Sequence, residues 1–200
     1  MSLEMSAAQF DMFADAPVIP GFSQAGEFIS PDEEEQLIAR IDGVELPPFR
    51  FQGWLGKRRT ASFGWRYDFD DASFEPADPI PDWLLPLRDR AAAFAGLKAD
   101  DLSQAAINLY VPGAGVGWHR DRPLYEHVVG VSLGAPTVMR FRQRSGGGFR
   151  RATVPLPPRS VYRLSDEVRH AWEHSVPEQD ATRWSIMFRN LSAKGLARLG

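Results

Sequence analysis

From Gln104 onward the chain reads as a run of short strands, and this run constrains the fold more than any other feature. Residues 104–111, 116–121, 128–133, 137–143, 149–155, 160–164, 169–174 and 182–190 read as strands. Turn formers punctuate them: Pro112-Gly113, Gly134-Ala135-Pro136, Ser145-Gly146-Gly147-Gly148 and Pro157-Pro158. About eight short strands at this spacing predict a double-sheet jelly roll. The sequence shows no internal repeat.

Two helices are expected before the strands, so the predicted class is mainly β with flanking helices (α+β), a double-stranded β-helix. Ser30-Pro31-Asp32-Glu33 has the pattern of a helix start: a cap, a proline at the first position and acids in the first turn. Leu37, Ile38 and Ile41 form its apolar stripe, and it should end near Gly43. A second helix is expected over residues 81–96, with Trp83, Leu84, Leu87 and Phe94 on its apolar side. Pro86 marks a later true start and Gly96 the stop. Between the helices, Pro47-Pro48 breaks the chain and residues 49–54 alternate as a strand with Phe49, Phe51 and Trp54. Gly56-Lys57-Arg58-Arg59 reads as a basic turn. Residues 60–69 read as one strand with Phe63, Trp65, Tyr67 and Phe69 on one face, followed by a proline-rich loop over 70–81. Residues 1–20 are expected to be a loosely ordered arm, with Phe22, Phe28 and Ile29 anchoring the chain to a core.

The chain has 200 residues, enough for one domain with a sizeable core. There are no cysteines, which excludes disulfides and thiolate metal sites, so any metal must use His, Asp or Glu. No apolar run is long enough to span a bilayer, and no secretory signal is apparent. The expectation is a monomeric cytoplasmic protein with no membrane partner. The net charge of -3 hides an asymmetry. Up to Glu45 the one basic residue is Arg40, whereas Arg58, Arg59, Arg140, Arg142, Arg144, Arg150 and Arg151 crowd later segments. These arginines read either as solvated strand edges or as a local basic face that attracts phosphate.

The chemistry-bearing stretch is Asn108 to Asp121, NLYVPGAGVGWHRD. In an extended chain His119 and Asp121, two apart, project to one face. A second histidine would complete a 2-His-1-carboxylate facial triad, the ligand set of non-haem Fe(II) oxygenases. His174 can supply it, and His170 competes for the same role. Downstream, Arg183 and Arg189 share one face of a predicted strand with Ser185 and Met187, while Trp184, Ile186 and Phe188 take the other. Two guanidinium groups inside a barrel need carboxylates, and a dicarboxylate co-substrate would satisfy them through bidentate pairs. Asn108 and Tyr110 share a face and could add neutral hydrogen bonds to that ligand.

These features together resemble the AlkB family of Fe(II)- and 2-oxoglutarate-dependent dioxygenases. The match runs through N-x-Y at Asn108 and Tyr110, P-G-x-G-x-G-W-H-x-D ending at Asp121, V-S-L-G from Val131 to Gly134, W-x-H-S-x-P around His174, and R-x-x-x-x-x-R from Arg183 to Arg189. It covers residues 104–190 and extends more weakly over 51–69. The resemblance implies that His119, Asp121 and His174 bind Fe(II). It implies that Arg183, helped by Tyr110, pairs with the distal carboxylate of 2-oxoglutarate, and that Asn108 and Arg189 contact the carboxylate nearer the metal. The family often has Asn and Thr where this chain has Ser185 and Met187. The implied organisation is one dioxygenase domain: an arm and helix (1–46), a substrate-gripping segment and helix (47–100) and a catalytic jelly roll (101–192).

The implied reaction couples oxidative decarboxylation of 2-oxoglutarate by O2 to hydroxylation of a substrate C–H bond. An N-methyl carbon hydroxylated in this way leaves as formaldehyde. The resemblance favours an N-alkylated base in DNA or RNA, unstacked or flipped to reach the metal; the alternative is a hydroxylase or demethylase of protein or another substrate. Lys57, Arg58 and Arg59 with Phe63, Trp65 and Tyr67 are candidates to grip a strand, since charge tracks phosphate and rings stack on bases. The bland reading of the aromatic stripe is core or a half-exposed lid. Arg120, Arg122 and Tyr125 are candidates at the pocket mouth.

Overall fold

The computed structural model describes residues 19–51 and 53–199. In chain order its elements are β1 (Phe22–Ala25), α1 (Pro31–Asp42), β2 (Pro48–Phe51), β3 (Trp54–Phe63), β4 (Trp65–Tyr67), β5 (Phe74–Pro76), α2 (Leu85–Ala95), β6 (Gln104–Tyr110), β7 (Val116–His119), β8 (Tyr125–Gly134), β9 (Thr137–Ser145), β10 (Gly148–Leu156), β11 (Val161–Leu164), α3 (Asp166–His170), β12 (Glu173–Val176), β13 (Arg183–Leu191) and α4 (Ala193–Leu196). The larger sheet runs β1-β11-β8-β13-β6-β3-β2, the smaller β10-β9-β12-β7, and β4 pairs with β5 alone. The pairings within these sheets are antiparallel. This is the expected jelly roll with helices against it.

Strand parity sorts the residues. On β13, Ile186 and Phe188 join Ile107, Val129, Val131 and Leu133 beneath α1 and α2, where Leu37, Ile41, Leu87 and Ala91 complete one core. The other face of the larger sheet, with Ala106, Val128 and Met187, meets Met139, Phe141, Val154 and Leu156 of the smaller sheet in a second core. Period-two alternation therefore feeds one row to the helices and the next to the space between the sheets.

The helix ends follow the sequence signals. The Ser30 side chain accepts a hydrogen bond from Glu33 N at 3.2 Å, and Pro31 opens α1. A short 3-10 turn, Asp82–Leu84, precedes α2, whose first turn holds Pro86 and whose C-cap Gly96 takes a left-handed φ of 69°. Ile29 is buried, and Phe22 and Phe28 pack edge-on against Phe141 and Phe94. Of the expected arm, residues 1–18 lie outside the described residues; Ile19 is buried between the sheets.

Four local expectations are corrected. Gly56-Lys57-Arg58-Arg59 is not a turn but lies within β3, because β2 and β3 form a hairpin that turns near Gly53, at φ 81°. The strand expected over 60–69 breaks at Gly64, whose φ of 76° separates β3 from β4. The strand expected over 116–121 ends at His119. Residues 169–174 are not one strand: Asp166–His170 is a helical turn and only Glu173–Val176 is extended. Ser165-Asp166-Glu167 carries a helix-start signal, and its acids outweigh the extended appearance of the next residues.

Gly64 is the joint of the 47–78 region. It bonds Asp78 O through its N–H at 2.7 Å and accepts from Ala77 N at 3.0 Å, and a Cβ there would collide with the Ser103 carbonyl. Gly64→Ala should therefore destabilise the chain by at least about 1 kcal/mol, read as a fall of roughly 2–4 °C or more in Tm.

Candidate metal centre and co-substrate pocket

His174 sits on β12 directly opposite His119 on β7, the two residues being Cα partners in the antiparallel ladder. Their rings approach to 4.3 Å between centroids. Asp121 follows two residues after His119, beyond the strand end, and turns back toward the same point. One ligand atom from each of the three lies within 4.8 Å of the others. His174 Nε2 stands 3.5 Å from Asp121 Oδ2, and that carboxylate oxygen is buried without a hydrogen-bond partner among the described residues. Two imidazoles and a partnerless buried oxygen converging on one point could hold a divalent cation. His119 Nδ1 lies 2.9 Å from Gly117 O, a contact that fixes the ring and leaves Nε2 for a metal.

The electrostatics agree. Burial alone would disfavour the Asp121 charge, but Arg189, His174, His119 and Arg169 hold its carboxyl well below the usual range. Burial pushes His174 down to about 3, helped by His119 and opposed by Asp121. The imidazole is therefore neutral near pH 7, the form that ligates metals.

Directly across the inner space, β13 and β6 present a second set. Arg183 is 1% exposed. Its Nη2 donates to Ser132 Oγ at 3.1 Å and its guanidinium lies over the Tyr110 ring at 5.0 Å. Its Nε and Nη1 have no partner among the described residues. A fully buried guanidinium with two orphaned donors is the complement of an oxyanion, such as the carboxylate of a small dicarboxylate. Arg189 donates from Nη1 to Gln104 Oε1 at 2.9 Å and from Nη2 to Asp121 Oδ1 at 3.1 Å, leaving Nε without a partner among the described residues. Asn108 accepts from Arg58 Nη1 at 3.2 Å and makes long contacts to Ser185 Oγ and Met187 Sδ, at 3.4 and 3.5 Å.

The model for the 2OG-Fe(II) oxygenase superfamily matches residues 27–193, most of the chain. The chain belongs to that superfamily. Curated relatives include a mimivirus protein described as uncharacterized protein L905, 29% identical over 194 residues, which span 86% of this chain and 85% of that one. The alpha-ketoglutarate-dependent dioxygenase AlkB of Escherichia coli K12 is 29% identical over 165 residues, 70% of this chain and 74% of the relative. The alkylated DNA repair protein ALKBH8 homolog of Arabidopsis thaliana is 27% identical over 185 residues, 80% of this chain but 51% of that protein, so the chain spans about half its length. Among solved structures, OsALKBH1 superposes with a TM-score of 0.68 at 16% identity, over 87% of this chain and 98% of that one. A Pseudomonas putida prolyl-4-hydroxylase superposes at 0.59 and 16%, over 86% and 93%; at such identity the two structures support the fold alone. The AlkB-family resemblance is borne out, and the chain is a dioxygenase using Fe(II), 2-oxoglutarate and O2.

The predicted substrate residues are dispersed. Arg58 turns inward, stacking on Phe49 at 4.2 Å while it bonds Asn108. Tyr67 and Phe69 meet edge-on, Phe69 does the same with Phe49, and Arg122 lies 4.4 Å over Tyr67. Trp65 stacks on Phe74, whose edge meets buried Tyr125, and Arg189 lies over the Tyr125 ring at 5.2 Å. These residues form an aromatic and guanidinium rim beside the metal centre. Arg59 and Phe63 do not join it: they pair in register with Leu109 and Ala105 on the helix side of the sheet. Exposed Arg120 reaches the His170 carbonyl, and exposed Lys57 lies against Gly113. His170 does not compete with His174; it closes α3 and pairs with Glu126 at 3.0 Å.

Tyr162 and Arg169 escape a reading of the sequence. Tyr162, buried on β11, seats its ring against Gly130 where no side chain could fit, and lies near enough to Arg183, Tyr110 and Asp121 to feel their charges. Arg169, 3% exposed, donates to the carbonyls of Asp121 at 3.2 Å, Arg122 at 2.6 Å and Tyr125 at 2.5 Å. It thus clamps the loop that delivers Asp121. Its only sequence signal is an arginine placed in the α3 turn, hidden when the segment is read as a strand. Arg169→Ala should weaken Fe(II) binding by about 10–100-fold with the fold retained. Arg169→Lys, which keeps the charge but not the fork, should recover only part of it; metal titration of the two variants checks this.

Proposed function

We propose that the chain works as a single dioxygenase domain that oxidatively demethylates N-alkylated bases in DNA or RNA. The observation that carries this reading is the rim beside the metal centre, where Phe49, Trp65, Tyr67, Phe69, Phe74 and Tyr125 pack on one another, with Arg58 over Phe49 and Arg122 over Tyr67 and Phe69. Flat rings next to guanidinium groups suit a flat, flipped base and its phosphates. The names of relatives point the same way, among them a probable RNA/DNA demethylase ALKBH6 of Danio rerio, 28% identical over 116 residues.

In this reading His119, Asp121 and His174 hold Fe(II), and Asp121 stays ionised because Arg189 and the histidines offset its burial. Arg183 and Tyr110 take the distal carboxylate of 2-oxoglutarate, with the unpartnered Nε and Nη1 of Arg183 as donors. Asn108 and the free Nε of Arg189 face the carboxylate nearer the metal. When bound, the iron and its co-substrate supply the oxidant that hydroxylates the N-alkyl carbon. The chain's own contribution is to hold that carbon at the mouth. The stacked rim excludes water, and Arg189 keeps the Asp121 carboxylate aimed.

The test is to supply the protein with Fe(II), ascorbate, O2 and 2-oxoglutarate, and to measure formaldehyde and base repair on methylated single-stranded DNA and RNA. Repair should require both iron and 2-oxoglutarate and should vanish in His119→Ala, Asp121→Ala and His174→Ala, but not in His170→Ala. Arg183→Ala should raise the KM for 2-oxoglutarate by roughly 10–100-fold, the worth of a buried charge-assisted hydrogen bond. Succinate production without repair of either oligonucleotide would sink the nucleic-acid reading and direct the search to protein or other substrates.

A further inference from the structure

The rim accounts for Arg58 and Arg122 but not for the arginines of β9 and β10. In register, Arg142 pairs with Arg151, Arg144 with Phe149, and Arg140 with Thr153. Phe141 and Ala152, the intervening pair, face the core, so this set occupies the outer surface of the smaller sheet. Glu173 and Ser175 of β12 pair with Arg142 and Arg140 on the same face. Glu173 meets Arg142 at 2.6 Å, and Arg140 donates to Ser175 Oγ at 3.1 Å. Arg144 and Arg151 have no ion pair among the described residues, and both are exposed. Among the described residues, the outer face of β9, β10 and β12 thus carries four guanidinium groups to the one carboxylate of Glu173, on a chain whose net charge is -3.

The arginines are held by rings. Arg140 and Arg142 lie over Trp118 at 5.6 and 4.5 Å, and Arg142, Arg144 and Arg151 lie over Phe149 at 4.7, 5.4 and 5.4 Å. A guanidinium stacked by its face keeps its N–H edge free for a bidentate oxyanion, and loses less freedom on binding one. Arg140, Arg142 and Arg144 are spaced two apart on one strand, about 6.7 Å per step, a spacing of the order of that between consecutive phosphates of an extended strand. The row also connects to the catalytic side. A groove of about 410 Å³ is lined by Lys57, Gly113, Gly117, Arg140, Val176 and Glu178. It crosses the glycine-rich segment that leads to Trp118 and His119, where a Cβ at Gly117 would meet open space.

We propose that the outer face of the smaller sheet is a phosphate track for single-stranded nucleic acid, running from Lys57 through this groove to Arg140, Arg142, Arg144 and Arg151. Local charge against an acidic background and regular spacing along one line favour a linear polyanion. The proposal rests on the nucleic-acid reading above. It adds that affinity depends on strand length, because the track lies on the opposite face of the sheet from His119 and His174 and only a long strand reaches both.

The test uses the full chain and its Arg144→Glu/Arg151→Glu double variant. These two side chains make no hydrogen bond or ion pair among the described residues, and Tm checks folding. Binding and demethylation are measured on a methylated single strand of about 20 nucleotides and on a methylated trinucleotide, over a range of salt. The variant should bind the long strand about tenfold or more weakly, and its salt slope should fall by at least about 1.4, two phosphate contacts at 0.7 each. The preference for long over short substrate should shrink accordingly. If the wild type demethylates the long strand and the variant matches its affinity and salt slope, the track is wrong and the demethylase reading stands. If the wild type binds oligonucleotides through Arg144 and Arg151 without demethylating them, the track stands and that reading falls. No binding of either strand by the wild type overturns both.

Discussion

The buried carboxylate of Asp121 is the constraint on which the interior depends. An ionised carboxylate between two sheets is unfavourable unless cations surround it. Here Arg189 bonds one oxygen, His174 approaches the other with His119 beside it, and Arg169 grips the backbone of the same loop. Each of these groups comes from a different element: β13, β12, β7 and α3. The jelly roll satisfies this because its two sheets face each other across a narrow space, with β7 and β12 paired on one side and β13 on the other. The same parity that places Ile186 and Phe188 under the helices aims Arg183 and Arg189 inward. The site is thus built on strands, whose alternation fixes side-chain direction, and Asp121 alone hangs on a loop that needs a clamp.

How much of this is legible in the sequence depends on the range of each signal. Strand alternation is local, so the inward face of β13 and the shared face of Asn108 and Tyr110 can be read from spacing. Turn and cap residues are local too, which is why α1, the late start of α2 at Leu85 and the stop at Gly96 are readable. The convergence of His119 with His174 is a contact between distant strands, and the residues alone leave His170 as a rival until the resemblance favours His174. His170 is removed from the site by a helical turn that the flanking residues disguise. Phe63 illustrates the same limit. It belongs by period to the stripe of Trp65, Tyr67 and Phe69, but a single left-handed glycine reverses which side of the sheet its continuation serves. Beyond Arg169's place in the α3 turn, Arg169 and Tyr162 carry no local pattern, since their roles exist only once α3 and β11 are packed.

The two sheets and the β2–β5 segment are packed in different ways. The sheets are closely packed, with Phe141 and Phe188 fully buried in the two cores, and packing of that kind fixes ligand positions. The segment from β2 to β5 is bound to the larger sheet through β3, and its rings pack mainly on one another and on Arg58 and Arg122. Contacts between rings and guanidinium faces tolerate small shifts, whereas ligand geometry does not. A substrate edge made of such contacts can vary in detail while the centre stays fixed, which is consistent with the rim being formed by the stretch where the family resemblance is weakest.

Charge segregation completes the picture. The acidic first helix sits on the far side of the larger sheet, where Glu34 is spent internally on Arg159 and on the Gly134 N–H. Arg169, Arg183 and Arg189 line the inner space, Arg58 and Arg122 the rim, and Arg140, Arg142, Arg144 and Arg151 the outer face of the smaller sheet, whereas Arg88, Arg90 and Arg159 are paired with acids. Beyond about 8–10 Å in physiological salt the overall charge of -3 is largely screened and acts little on a polyanion. Within that distance the local field decides, and there a polyanion would meet guanidinium groups already stacked on rings. Discrimination by such a surface would act at contact and not by long-range steering; in the proposed reading strand length and salt control how firmly a strand is held, and the rim decides which base enters.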